Sequence, residues 1–138
     1  MKKNIAFALF AALVMSGCAS TTPNVSLSEI NPVRIYAMDK MKILDAMRLY
    51  CKKHDFTLSG VEAETGHVRG FKKIEGFREE DNRTILMEHY VIKLPDGRSR
   101  VEAKYVFQKI DYTPTKQEES ILAECYTAFF KYLDTEIQ

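Results

Sequence analysis

Three cysteines, three histidines and a few acidic clusters are the side chains of this 138-residue chain with the chemistry to bind metals, attack substrates or cross-link. Cys51 and Cys125 fall in two segments of helical periodicity, each on or beside an apolar stripe. Two readings stand for them. One is a disulfide closing a loop of about 75 residues, worth roughly 4.5 kcal/mol in the chain-entropy account. The other is a pair of separate buried thiols acting as small hydrophobes. The cross-link requires Cα atoms within about 7 Å, so the packing of the two helices decides. Either role is structural, because a catalytic thiol needs an exposed, electropositive setting. His54, His67 and His89, taken with Glu64 or Glu88, do not follow a zinc spacing such as two histidines four apart with a glutamate between. Glu62 and Glu64, and Glu79-Glu80-Asp81, lack the ligand periodicity and central glycine of a calcium loop and read as solvated turns. Phosphate-cradling glycines and a nucleophile elbow are missing too. The expectation is therefore a protein without catalysis, metal or cofactor. Asn82-Arg83-Thr84 is an Asn-x-Thr sequon whose neighbours place it in an exposed turn.

The third cysteine belongs to the most specific pattern in the chain. Lys2 and Lys3 precede an uncharged apolar run of eleven residues, Ile5 to Met15. That run is well short of the roughly 20 residues a helix needs to cross a bilayer. A short apolar core behind two lysines is the pattern of a secretory leader. The leader ends in Met15-Ser16-Gly17-Cys18, with small residues directly before the cysteine. This resembles the lipobox of bacterial lipoproteins, although Met15 stands where that family more often has Leu, Val or Ile. The resemblance implies removal of residues 1–17, a diacylglycerol on the Cys18 sulfur and an acyl group, such as palmitate, on its new amine. One chain at ~0.8 kcal/mol per buried CH₂ binds a membrane marginally, whereas two or more form a stable anchor. In similar Gram-negative lipoproteins an Asp after the cysteine favours inner-membrane retention. Ala19 therefore implies the outer membrane, with the domain in the periplasm or at the surface.

Charge and composition narrow the remaining classes. Twenty Lys and Arg against nineteen Asp and Glu give +1, and removal of Lys2 and Lys3 turns this to −1. Neither value is the electrostatic footprint of a nucleic-acid binder. A hydrophobic fraction of 46% is ample for a folded core. Residues 18–32 are rich in small polar residues and proline, and read as the lipidated cysteine and a flexible tether. Residues 33–138 then form a single domain.

Within that domain the periodicities imply the elements that hold these side chains. Val33, Ile35 and Ala37 alternate with Arg34 and Tyr36 as a short strand. Asp39 is placed to cap a helix whose face is Ile43, Leu44, Met47, Tyr50, Cys51 and His54. Phe56 and Leu58 begin a second strand, His67 to Ile74 reads as a third, and glycines 60, 66, 70 and 76 mark turns or bulges. Thr84–Leu94, Pro95-Asp96-Gly97 and Ser99–Tyr112 form a hairpin. Val101, Ala103, Tyr105 and Phe107 alternate with Arg100, Glu102 and Lys104, so one face of the return strand is buried. The outgoing strand is apolar in both phases and reads as central. Thr115 and Glu118 form a capping box before a helix with Leu122, Tyr126, Phe129, Leu133 and Ile137 on one face.

The expected fold is α+β in the order β-α-β-β-β-β-α, an antiparallel sheet of four or five strands with two helices on one face. It loosely resembles the helix-and-sheet domains of small envelope lipoproteins, including those associated with outer-membrane protein assembly. That resemblance implies a non-catalytic interaction domain in envelope assembly or maintenance, with another envelope protein as partner and the membrane held through the lipid. The alternative is a carrier of a small hydrophobic or lipid-like ligand in the groove between sheet and helices.

Overall fold

Asp39 starts the first helix as its position implies. In the structure, a computed structural model describing residues 26–75, 83–108 and 113–136, its carboxylate accepts the Met41 N–H at 3.2 Å. The helix that follows, α1, spans Lys40–Lys53 and buries Ile43, Leu44, Met47, Tyr50 and Cys51 on one side. It follows strand β1 (Val33–Tyr36) and leads into β2 (Thr57–Glu62), β3 (His67–Ile74), β4 (Arg83–Lys93) and β5 (Ser99–Phe107), with α2 (Lys116–Glu136) closing the order. The cap of α2 is also local. Thr115 Oγ1 accepts the Glu118 N–H at 3.2 Å, and the Glu118 carboxylate bonds that hydroxyl at 3.0 Å.

The five strands form one antiparallel sheet in the order β1-β5-β4-β3-β2. This is the expected α+β arrangement, and β4 is the middle strand. Both helices lie on the same face, α1 over β2 and β4 and α2 over β5, and they touch each other. Two turns depend on glycine. Gly66 has φ +73° between β2 and β3, and an added Cβ would collide with the Val91 carbonyl oxygen. Gly97, at φ +87°, closes the β4–β5 hairpin.

Three details depart from the sequence reading. The phase of β1 is the reverse of its apolar pattern: Ile35 is 50% exposed, while Arg34 and Tyr36 face the helices. Asp134 of α2 explains this, accepting from Arg34 Nη1 at 2.6 Å and from the Tyr36 hydroxyl at 2.7 Å. Residues 26–32, read as the end of the tether, lie against the domain. Leu27–Glu29 is a 3₁₀ turn packed on α2 with Leu27 against the core, and the Pro32 carbonyl accepts the Ala103 N–H at 2.9 Å. The return strand, expected to reach Tyr112, is regular to Phe107, and residues 109–112 lie outside the described residues. Cys18, residues 1–25, Gly76, Glu79-Glu80-Asp81, Asn82 and Ile137 also lie outside them.

Candidate interaction surface

The strand registers divide the sheet into two unlike faces. Val68, Ile85, Met87, His89, Val91, Val101, Ala103, Tyr105 and Phe107 point to the helices and are buried. Among the described residues no helix lies on the opposite face. Its side chains form lanes across the strands, because directly opposed residues are neighbours. One lane is apolar, with Phe71 of β3, Leu86 of β4 and Val106 of β5 opposed in turn. Beside it runs a charged lane of Arg69, Glu88 and Lys104. A third holds Glu62, His67, Tyr90, Glu102 and Val33, in which the His67 and Tyr90 rings stack at 4.5 Å. Ile92 and Ile35 flank Arg100 at the far end. Val106 is 38% and Ile92 45% exposed. The charges neutralise one another: Arg69 reaches Glu62 at 3.5 Å and Arg100 reaches Glu102 at 3.3 Å. Such half-exposed pairs contribute little to stability. The face offers apolar contact with a rim of both signs.

The two sheet edges are less available. Beyond the short β1, the outer N–H groups of β5 are occupied by other partners. Ala103 donates to Pro32, and Tyr105 donates to the Tyr126 hydroxyl at 3.0 Å. On the other side the register of β2 slips between Leu58 and Gly60, a bulge of the kind that bends an edge away from a docking strand. Strand addition, the usual way a sheet edge recruits a peptide, is thus disfavoured along β5 beyond β1 and at the β2 bulge.

Beneath the helices lies a buried polar cluster that the sequence did not reveal. His89 is fully buried, with its ring 3.9 Å from the Phe129 ring and Nε2 2.8 Å from the Tyr105 hydroxyl. Burial pushes the phenols of Tyr105 and of its neighbour Tyr50 well up, so both stay protonated. A ring proton on Nε2, donated to the Tyr105 hydroxyl, leaves no enclosed N–H without an acceptor, which assigns the tautomer from the network. His89 Nδ1, enclosed without a partner, carries only a lone pair. Burial pushes the His89 pKa down to about 3. The available signal was phase: His89 falls in register with Ile85, Met87 and Val91, the buried side of β4.

This histidine makes the fold acid-sensitive. Between its folded pKa and the ordinary value near 6.5, the unfolded chain binds a proton that the native chain refuses. Stability is complete above that range and declines as the pH falls through it, by about 2 kcal/mol at pH 5. His54 has a pKa lowered by burial and by Lys72 and Lys53, so it acts in the same direction. Comparison with His89→Gln isolates the larger contribution. In urea titrations at pH 7 and pH 5 the native chain should lose about 2 kcal/mol more than the variant; equal losses would contradict a neutral buried His89.

The remaining candidates are kept apart. His67 lies on the helix-free face, His89 on the covered face, and His54 caps the end of α1. Among the described residues no three His, Cys, Asp or Glu side chains gather as a metal site. Cys51 and Cys125 are free thiols, so the disulfide weighed from the sequence is not formed. The Cys51 sulfur lies 3.7 Å from Met87 Sδ, and burial pushes both thiols up to about 11. These are unreactive settings. A cavity of about 480 Å³ opens at the edge of the sheet–helix layer, between the 3₁₀ turn, β1 and α2, and is lined by the Arg34–Asp134 pair and Phe130. Arg34 lies 4.7 Å from the Phe130 ring centre. No helix among the described residues is long and apolar enough to cross a membrane. No protein-family model matches this chain, and no curated protein matches it.

Proposed function

We propose that this chain is a lipid-anchored protein of the cell envelope, held in the outer membrane through Cys18, whose domain acts without catalysis by binding another envelope protein. The anchor rests on the sequence Met15-Ser16-Gly17-Cys18 and its leader. The binding reading is carried by the Phe71–Leu86–Val106 lane on a sheet face that no helix among the described residues covers. An apolar centre bordered by charges of both signs is the usual composition of a protein–protein contact. The carrier reading ranks second, because the layer between sheet and helices is filled by large side chains such as Tyr50, Tyr105, Phe129, Phe130 and Met47.

A photo-reactive residue placed at Leu86 or at Val106 tests this in intact envelopes. The expected product is a cross-link to one discrete protein from both positions, lost when Phe71 is replaced by Glu. Lipid co-purifying with no protein adduct would instead favour the carrier.

A further inference from the structure

The two helices carry opposite charge. Lys40, Lys42, Arg48, Lys52 and Lys53 against Asp45 give α1 a formal +4. Lys116 and Lys131 against Glu118, Glu119, Glu124, Asp134 and Glu136 give α2 a formal −3. On α1 the outward residues are confined to one sector. At 100° per residue, Met41, Lys42, Asp45, Arg48, Leu49, Lys52 and Lys53 fall within an arc of about 140°, and all seven are exposed. Asp45 is engaged by Arg48 at 3.1 Å. Among these charges stand two large apolar side chains, Met41 at 47% and Leu49 at 60% exposure. The core does not need them, since Ile43, Leu44 and Met47 already fill the inner side. Cations around exposed apolar side chains are the chemistry by which a helix lies on a charged lipid surface.

We propose that the outward face of α1, formed by Met41, Lys42, Arg48, Leu49, Lys52 and Lys53, docks on an anionic bilayer surface. Its cations meet the headgroup phosphates, and Leu49 and Met41 enter the acyl boundary. The chain outside the described residues is long enough to allow this. The eight residues from Cys18 to Val25 reach about 26 Å when extended, against an interhelical distance of 8–10 Å. An anchor that leaves the domain beside α2 can therefore still let α1 face the bilayer. Because both helices lie on one face of the sheet, this orientation turns the Phe71–Leu86–Val106 lane away from the membrane and towards a partner. The anchor, which is the reading proposed above, supplies a nearby bilayer, whereas the affinity of α1 for anionic lipid does not depend on it.

The test uses the unlipidated mature chain, residues 18–138 with Cys18→Ser. Every contact described above lies between Ser26 and Glu136, within this chain, and a cooperative urea transition checks that it is folded before binding is measured. Co-sedimentation is measured with vesicles of phosphatidylcholine alone and with about 30 mol% phosphatidylglycerol, at low salt and at about 0.5 M salt. Binding is expected to the anionic vesicles only, and to vanish at high salt. Each surface cation contributes about fivefold, so Lys42→Gln with Lys52→Gln should weaken binding about 25-fold. Arg69→Gln with Lys104→Gln, on the opposite face, should leave it unchanged. Equal binding to neutral vesicles, no binding to anionic ones, or equal loss in the opposite-face variant would overturn the proposal. Stronger binding to poly-glutamate than to the vesicles would overturn it too, assigning the face to an acidic protein. A chain that binds these vesicles yet carries no lipid in the cell would sink the anchor and leave the docking face standing.

Discussion

Phe129→Ala should lower the unfolding free energy by about 3–5 kcal/mol, a large share of the 5–15 kcal/mol that holds a small domain together. Phe129 is fully buried where α2 meets both α1 and the sheet. Its ring lies 3.9 Å from His89 of β4, 5.3 Å from Tyr50 of α1 and 6.4 Å from Tyr105 of β5. Truncation removes the transfer energy of the ring and leaves a hole bordered by the polar cluster. Leu86→Ala, on the helix-free face, should cost well under half as much because part of that side chain already meets water. Urea denaturation of the two variants gives the comparison directly. A loss below about 1.5 kcal/mol for Phe129→Ala would mean that the helices are not held to the sheet through this contact.

Cys18→Ser should abolish membrane attachment rather than weaken it. The thiol is the only atom at that position able to receive the diacylglycerol, and cleavage of the leader depends on that modification in the family the sequence resembles. Two acyl chains make the difference between a stable anchor and a reversible one. Fractionation of envelopes should therefore find the native chain with the outer membrane. The variant should remain as the unprocessed precursor or leave the membrane fraction. Cys51→Ser and Cys125→Ser, which change a buried and a partly buried thiol, should leave the distribution unaltered and alter only stability. A Cys18→Ser chain that still enters the outer membrane in processed form would remove the anchor from the account.

Much of the fold was legible because the period of the apolar residues changes where the secondary structure does. The stripe of α1 and the alternation of β5 identify buried faces residue by residue, and Asp39 and Thr115 mark helix starts with side chains that serve no other purpose there. The short edge strand was misread for a physical reason. In β1 the inward positions are set by Asp134, nearly a hundred residues away in sequence, and an ion pair over an aromatic ring has no periodic signature. Leu27 shows a similar limit. It packs against the core from a turn on α2, and a few isolated apolar residues in a polar segment are too small a signal to separate from a tether.

The candidate surface was half visible. The two apolar phases of β4 correctly implied a central strand, but not which of the two the helices cover. Helices cover only the phase of Ile85, Met87 and Val91, which leaves Leu86, Tyr90 and Ile92 facing outward. The polarity of Arg100, Glu102 and Lys104 on the neighbouring strand was the warning that this side is wet. Residue type groups His89 with His54 and His67 and gives no sign that it is buried. Position was the better guide, since four residues of one strand at a spacing of two share one environment. The thiols show the reverse case, in which pattern placed both cysteines beside the stripes and only three-dimensional packing could say whether they meet.

The central claim is a domain tied to the membrane by its first mature residue. Intact-mass analysis of the protein extracted from envelopes, with sequencing of its N-terminal peptide, tests this most directly. The account predicts a chain beginning at Cys18 that carries a diacylglycerol on sulfur and an acyl group on its amine, while Cys51 and Cys125 remain reducible-bond-free thiols. A mature chain that begins elsewhere, or that begins at Cys18 with a free sulfhydryl, would contradict it.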